Sequence, residues 1–216
     1  MALRIIGGEF RRRQLQTPPT RTTRPYTDRV RQIVFDRIDG LLADARVADV
    51  FAGVGTMGLE SLSRGARSCV FLEGDPKVHA SLKHNVETIA ADKDTVCWKT
   101  NIHRTSFRPQ GADDCLPYSL IFFDPPYAQC KLLAPQLALG KCLKRMAKAE
   151  ICDREALLIL RTPGHFDFSE TDAWRIDDCW RISTMNLWLL RPNTGTGDPP
   201  VSETTLRSDS HEDELL

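Results

Sequence analysis

From residue 47 onward, short apolar runs alternate with stretches whose apolar residues recur at helical spacing. Short apolar runs bounded by turn-forming residues are typical of buried strands, and apolar residues three or four positions apart predict helices packed on them. This alternation predicts an α/β fold with a doubly wound, mostly parallel seven-stranded sheet. The predicted strands are residues 47–51, 68–73, 95–100, 119–123, 156–160, 174–182 and 184–190, and a helix is predicted from roughly 132 to 147.

The N-terminal residues predict a β-hairpin followed by a helix. Residues 3–6 and 11–16 are predicted as short strands joined by a turn at Gly7 and Gly8, and the Thr- and Pro-rich residues 17–23 as a linker arm. Thr27 is predicted to be the N-cap of the first helix. The apolar stripe of that helix is expected to consist of Val30, Ile33, Val34, Ile38 and Leu41.

The charge of the chain is balanced overall but divided between its ends. Residues 1–31 carry eight arginines against two acids, a net charge of +6, and residues 193–216 carry six acids against one arginine, a net charge of −5. The basic end predicts a polyanionic partner, and the acidic end is predicted to be a disordered tail. A solvated surface is the alternative for any single arginine, but consecutive Arg11, Arg12 and Arg13 on a hairpin favour phosphate contact.

The cysteines and the N-terminus indicate a cellular compartment. The seven cysteines are an odd number and include no Cys-x-x-Cys pair, which argues against a disulfide framework and a zinc site. The N-terminus lacks the apolar region of a signal peptide, and no apolar run approaches the ~18 residues of a membrane span. We therefore expect a cytoplasmic protein that binds neither a metal nor a membrane.

Residues 124–127, Asp-Pro-Pro-Tyr, end the fourth predicted strand. Open α/β sheets bind ligands at the carboxyl ends of their strands. Two prolines stop sheet pairing and stiffen the turn, because proline lacks an N–H group and has a fixed φ. The turn would present the Asp124 carboxylate, backbone carbonyls and the Tyr127 ring together, which suits a planar amine. An ordinary turn at the end of a strand is the alternative.

A glycine-rich loop follows the first strand of the predicted sheet. Its spacing, Gly53-x-Gly55-x-x-Gly58, matches the dinucleotide-binding fingerprint. Asp49, inside the apolar strand, needs a partner such as a ligand ammonium or loop N–H groups. Glu73 ends the next strand, 20 residues beyond Gly53, where a ribose-binding acid belongs. Glycines required only for packing are the alternative, and a nicotinamide-dependent oxidoreductase is a competing enzyme class.

Asn101 and Ile102 follow the third predicted strand. At the carboxyl end of a strand they are candidates for contact with an adenine ring and its amino group. An ordinary turn residue is an equal alternative for Asn101.

These motifs in this order resemble the class I methyltransferases that use S-adenosylmethionine, and specifically the bacterial 16S rRNA guanine-N2 methyltransferases that act on guanine 966. The resemblance reaches from residue 3 to about 190. The N-terminal motifs are specific to that family, and the others are shared more widely. The matching stretches are residues 4–10, 23–31, 49–60, 63–66, 73–75 and 124–127.

The resemblance implies an activity and a set of site residues. A Rossmann-like methyltransferase domain (residues 27–192) would carry a basic N-terminal hairpin and arm (1–26) and the acidic tail (193–216). The expected substrate is a guanine N2 amine in 16S rRNA or an assembling small ribosomal subunit, and the enzyme is expected to be a monomer. The implied catalytic residues are Asp124, Pro125, Pro126 and Tyr127; those for S-adenosylmethionine are Asp49, Phe51, Ala52, Gly53, Gly55, Glu73, Gly74, Asn101 and Ile102; those for RNA are Arg4, Arg11, Arg12, Arg13, Arg24, Thr27 and Arg29.

The chain departs from the family pattern at a few positions, and other functions fit part of the sequence. The family usually has an aspartate near Asn101, an acid after the fifth strand in place of Arg161, and a threonine in place of Tyr26. DNA adenine-N6 and protein glutamine-N5 methyltransferases have closely similar tetrapeptides. A non-catalytic RNA-binding protein on the same fold is a further alternative, although Asp49, Glu73 and Asp124 argue against it.

Overall fold

A computed structural model of the protein describes residues 3–18 and 26–193. The predictions for Arg24 and for the acidic tail lie outside these residues. The fold is a single seven-stranded sheet with strand order β3-β2-β1-β4-β5-β7-β6. The strands are β1 (Arg46–Val50), β2 (Ser68–Glu73), β3 (Asp94–Lys99), β4 (Tyr118–Phe123), β5 (Cys152–Pro163), β6 (Trp174–Ile182) and β7 (Met185–Pro192).

The first five strands pair in parallel, and β7 runs antiparallel to both β5 and β6. The predicted doubly wound α/β fold is therefore confirmed. The helices are α1 (Asp28–Arg37), α2 (Thr56–Ser63), α3 (Pro76–Ile89) and α4 (Ala138–Met146), with short 3-10 helices at Asp39–Leu41, Asp113–Cys115 and Tyr127–Leu132.

Successive residues of the central strands face two separate buried clusters. Val47 belongs to the cluster that α1, α2 and α3 cover, whereas Ala48 belongs to the cluster that α4 covers. The same alternation places Phe122 in the first cluster and Phe123 in the second. Parallel strands covered on both faces have continuous apolar runs, which explains why these strands could be predicted from the sequence.

The predicted N-terminal hairpin forms, but with one antiparallel bridge, Arg4 to Gln14, rather than two strands. The reason is that two backbone N–H groups of the hairpin donate to a side chain of α2 instead of to the opposite strand. The buried Glu60 carboxylate accepts from the N–H groups of Ile6 and Gly7, at 2.8 Å each. The apolar hairpin residues join the first buried cluster, so the hairpin packs on the domain; they are Ile5, Phe10 and Leu15.

Helix α1 begins as predicted and ends earlier than predicted. The Thr27 hydroxyl accepts from the Val30 N–H at 3.3 Å, which confirms the N-cap. The helix stops at Arg37, so the apolar stripe does not reach Leu41, which is 45% exposed. Leu42, on the turn that follows, is buried instead.

The helix predicted from roughly 132 to 147 is wrong in its first half. A 3-10 helix ends at Leu132, and α4 spans only Ala138–Met146. Pro135 lies between them, and a proline inside an α-helix removes a hydrogen bond and clashes with the preceding turn.

In the part of the chain that the structure describes, no helix is both long enough and apolar enough to cross a membrane.

Candidate active site

The order of the strands creates a crevice between β1 and β4. From β1 the chain proceeds to β2 on one side, and β4 pairs with β1 on the other side. This reversal is the switch point at which open α/β sheets bind ligands, beyond the carboxyl ends of the strands. Backbone hydrogen bonds hold the segments leaving these strands: Asp124 donates to Val50, at 3.2 Å, and Ala52 donates to Leu72, at 3.0 Å.

The loop after β1 has a backbone that bends sharply. Phe51, Gly53 and Gly55 all have positive φ, at 64°, 57° and 88°. A Cβ atom at Gly53 would meet no atom of the described residues within 4 Å, so this part of the loop is open on that side. Gly58 has a different reason to be glycine: its Cβ would lie 2.3 Å from the Phe71 ring. Part of the dinucleotide-like pattern therefore reflects packing of α2 on β2.

Two acids hold the backbone around this loop. The buried Asp49 carboxylate accepts from the Gly58 N–H at 2.9 Å, so its partner is a backbone N–H group in the first turn of α2, directly after the loop. The Glu73 carboxylate accepts from Gly53 at 3.0 Å through one oxygen and from Asp75 at 2.8 Å through the other. Each carboxylate oxygen has two acceptor sites, so Glu73 retains capacity for a ligand.

Asp124 leaves β4 at the floor of the crevice, and its side chain is 16% exposed. Pro125 is buried behind it, and the Pro126 carbonyl accepts from the Gln129 N–H at 2.7 Å. Tyr127 begins the 3-10 helix and is 36% exposed. The turn therefore holds the Asp124 carboxylate and a partly exposed Tyr127 ring, whereas the Pro126 carbonyl, expected to be bare, is engaged by Gln129.

Arg161 is a cation that pairs with this turn, and it was not among the predicted site residues. Its Nε donates to Asp124 Oδ1 at 2.5 Å. Its guanidinium lies 4.3 Å from the centre of the Tyr26 ring and 5.5 Å from that of Tyr127. Strand register brings the pair together: Phe123 is opposite Leu160, so the next residues, Asp124 and Arg161, are also neighbours.

The electrostatics of the crevice are dominated by buried carboxyl groups. Burial raises the pKa of Asp124 to about 6, and the Arg161 cation limits the rise. Burial raises the pKa of Asp49 to about 8; the Gly58 hydrogen bond opposes this, and the negative charges of Asp124 and Glu73 add to it. Burial, with the negative charge of Asp124, also raises the pKa of Tyr26, so its phenol is neutral at physiological pH.

The segments beyond β3 and β4 carry two buried polar atoms that have no hydrogen-bond partner among the described residues. These are His103 Nδ1, two residues after Asn101, and Gln129 Oε1, in the 3-10 helix after Tyr127. Ile102, between Asn101 and His103, is buried. The side chain of the exposed Asn101 accepts from the His103 N–H at 3.0 Å. Unsatisfied buried polar atoms at a ligand-binding edge suit a ligand with both donors and acceptors.

The predicted RNA-binding arginines do not all point the same way. Arg4, Arg11, Arg12 and Arg29 line one cleft of about 470 Å³ between the hairpin and α1. Arg13 instead donates to the Ile89 carbonyl at 3.0 Å and lies over the Phe10 ring, which places it in the packing of the hairpin.

Several residues of the cleft and its surroundings also have structural roles. Arg4 pairs with Asp28 at 3.2 Å, and Asp28 also pairs with the fully buried Arg31 at 2.7 Å. Thr27 caps α1, as described above. Among the residues that the structure describes, no three His, Cys, Asp or Glu side chains are grouped so that they could hold a metal ion.

Comparison with known proteins identifies the family. A family model described as "Conserved hypothetical protein 95" matches residues 3–180. The chain belongs to this family. Its members include proteins of the small-subunit rRNA methyltransferase D type, so the resemblance predicted from the sequence is confirmed.

Named relatives and a solved structure agree with this family. The chain is 38% identical over 125 residues to "Ribosomal RNA small subunit methyltransferase D" of Escherichia coli K12. The aligned region covers 58% of this chain and 60% of the relative. The chain is 33% identical over 136 residues to "Putative rRNA methyltransferase YlbH" of Bacillus subtilis, covering 61% and 71%. The structure of "Putative methyltransferase yhhF" from Escherichia coli superposes with a TM-score of 0.72 at 27% identity, covering 89% of this chain and 98% of that one.

Within this family framework, the sequence named Arg161 only as a departure from the family pattern and assigned it no place in the site. The signal was present, because an arginine directly after the apolar run 156–160 is unusual in a strand buried on both faces. Tyr26 was noticed only as a departure from the family pattern, and its place beside Arg161 depends on how the segment before α1 packs.

Proposed function

We propose that the protein transfers a methyl group from S-adenosylmethionine to the exocyclic N2 amine of a guanine in small-subunit rRNA. The observation that carries the proposal is the Asp124 turn, which places a carboxylate and an aromatic ring at the switch point of the sheet. Membership of the family and the names of the Escherichia coli and Bacillus subtilis relatives support the rRNA substrate.

The residues around the β1 loop fit S-adenosylmethionine, which supplies an electrophilic methyl group when it is bound. Glu73 has the acceptor capacity to bind a ribose diol, and the open space beside Gly53 allows a ligand to approach the backbone. Others expected to contact the cofactor are Asp49, Phe51, Ala52, Gly55, Gly74, Asn101 and Ile102.

Asp124 would hold the amine that accepts the methyl group. The nitrogen of an aromatic amine is a poor nucleophile, because its lone pair is delocalised into the ring. Acceptors at Asp124 and at the Pro125 carbonyl would orient both N–H bonds and stabilise the positive charge that develops on the nitrogen. Tyr127 would stack on the base, which has to leave its helix or lie in a loop.

Guanine fits an ionised Asp124 better than adenine does. A carboxylate only accepts hydrogen bonds. The edge of guanine that carries the N2 amine also presents the N1–H donor, whereas the edge of adenine that carries N6 presents N1 as an acceptor. The ion pair with Arg161 favours the ionised carboxylate. The resemblance points to guanine 966, in an assembling small subunit, as the target.

The arginine cleft would hold the RNA backbone next to the target base. Arg29 is three residues after Tyr26, whose ring contacts the Arg161 guanidinium beside Asp124. The cleft formed by Arg4, Arg11, Arg12 and Arg29 thus includes a residue three positions along the chain from Tyr26. Arginine is suited to phosphate because its planar donors match phosphate oxygens, and such contacts orient RNA without reading its sequence.

Two measurements test the proposal against its rivals. Calorimetric titration should detect binding of S-adenosylhomocysteine and no binding of NADH; the reverse result would indicate an oxidoreductase. Transfer of labelled methyl groups should be detected on small-subunit particles and not on duplex DNA or protein. Binding of particles without any transfer would support a non-catalytic RNA-binding protein instead.

A further inference from the structure

Arg161 is held in an unusually constrained position for a charged side chain. It lies in β5, is 6% exposed, and is flanked by the rings of Tyr26 and Tyr127. Its Nε is fixed on one oxygen of Asp124 at 2.5 Å. Burying a guanidinium costs free energy unless its charge is compensated. The Asp124 carboxylate and the two aromatic faces supply that compensation for Arg161.

The surroundings of Asp124 otherwise disfavour its charge. The ionisable groups that face it come from β1, the segment before α1, the 3-10 helix and β5. Among the residues that the structure describes, Arg161 is the only cation of this group; the others are Asp49, Tyr26 and Cys130, and the Tyr127 ring flanks Arg161. Burial raises the pKa of Asp124 to about 6 even with Arg161 present. Replacing Arg161 by an uncharged residue would therefore raise the pKa of Asp124 further.

We propose that Arg161 is a positioning residue that keeps the Asp124 carboxyl group ionised and aimed at the target amine. A protonated Asp124 would present a hydroxyl donor to the amine and lose acceptor capacity on that oxygen. The Tyr26 ring contributes to the same positioning, because it packs on the face of the Arg161 guanidinium and holds that group toward Asp124. The inference rests on the proposed function, since it concerns the residue that holds the amine.

The test is the pH dependence of methyl transfer. Single-turnover rates on small-subunit particles would be measured from about pH 5 to about pH 9 for wild type, Arg161→Met, Arg161→Gln and Arg161→Lys. Because ionised Asp124 is the active form, the rate of wild type should fall as the pH drops through about 6. Loss of the cation should move this acid limb up by about one to three pH units, with the rate recovering at high pH. Lys keeps the charge, so its limb should stay closer to that of wild type.

A matched control is Arg46→Met. Arg46 also forms a partly buried pair, with Asp153 at 3.4 Å, but it lies at the amino end of β1, away from the crevice. This variant should keep the wild-type pH profile. The Asp124→Asn variant should lose the acid limb, because an amide does not ionise.

The possible results separate the inference from the proposed function. An acid limb that stays in place in Arg161→Met or Arg161→Gln, with a rate lowered equally at every pH, would show a structural role only and overturn the inference. A flat wild-type profile across pH 6 would overturn it without any Arg161 variant. If wild type transfers no methyl group to guanine N2 at any pH, the proposed function itself fails.

Discussion

At the scale of single residues, the site is a row of acids at one edge of the sheet. Glu73, Asp49 and Asp124 come from β2, β1 and β4, which are consecutive in the sheet. Each acid has a different partner: Glu73 and Asp49 hold backbone N–H groups, whereas Asp124 holds a side-chain cation. The three acids therefore have different roles at one edge of the sheet: two order the backbone around the β1 loop, and one is paired with a cation.

Replacement of Glu73 by alanine tests the cofactor site. Loss of hydrogen bonds to a ribose diol should cost about 1.5–3 kcal/mol of binding free energy. The dissociation constant for S-adenosylhomocysteine should therefore rise on the order of tenfold to a hundredfold, as measured by calorimetry. The matched control is Glu87→Ala on the exposed face of α3, which should bind as wild type does. An unchanged constant in Glu73→Ala would remove Glu73 from the site.

At the scale of elements, the strands were more predictable than the contacts between them. The runs that became β4 and the buried part of β5 were located from the apolar pattern alone, because parallel strands covered on both faces must be apolar throughout. The start of α4 was missed because the apolar spacing continued across Pro135. The Asp124–Arg161 pair could not be predicted from local pattern, since it depends on the register of β4 against β5.

Gly58 gives a prediction about how α2 packs on β2. An alanine Cβ at this position would lie 2.3 Å from the Phe71 ring and 2.6 Å from Cys69 Sγ, so the helix or the strand must move. Gly58→Ala should lower the free energy of unfolding by about 1–3 kcal/mol, measured by urea denaturation. Gly40→Ala is the control, because its Cβ would meet no atom within 4 Å, and it should retain wild-type stability. Equal stability of the two variants would contradict the packing role.

At the scale of the whole molecule, the hairpin is tied to the domain through α2 rather than through the sheet. The fully buried Glu60 carboxylate accepts hydrogen bonds from two backbone N–H groups of the hairpin. It also forms ion pairs with Arg64 and Arg31. The side chains of the three consecutive hairpin arginines are all exposed, but Arg11 and Arg12 line the cleft, whereas the Arg13 guanidinium is held on the Ile89 carbonyl. The sequence predicted the basic hairpin but not this division among its three consecutive arginines.

The division predicts different effects on RNA binding. Arg11→Ala with Arg12→Ala should weaken RNA binding and make the slope of log K against log salt shallower by roughly one to two units. The control, Arg154→Ala with Arg181→Ala, removes the same charge from exposed positions of β5 and β6 and should leave the slope nearly unchanged. Equal slopes for both double variants would show that the cleft does not contact phosphate.

The most direct test of the central claim compares wild type with Asp124→Ala in one assay. Both would be given labelled S-adenosylmethionine and small-subunit particles, and the RNA would be digested and its nucleosides separated. We predict labelled N2-methylguanosine from wild type and none from Asp124→Ala, with S-adenosylhomocysteine binding of the variant within several-fold of wild type. Near-normal transfer by Asp124→Ala, or a label on the N6 amine of adenosine, would contradict the claim that Asp124 holds a guanine amine for methylation.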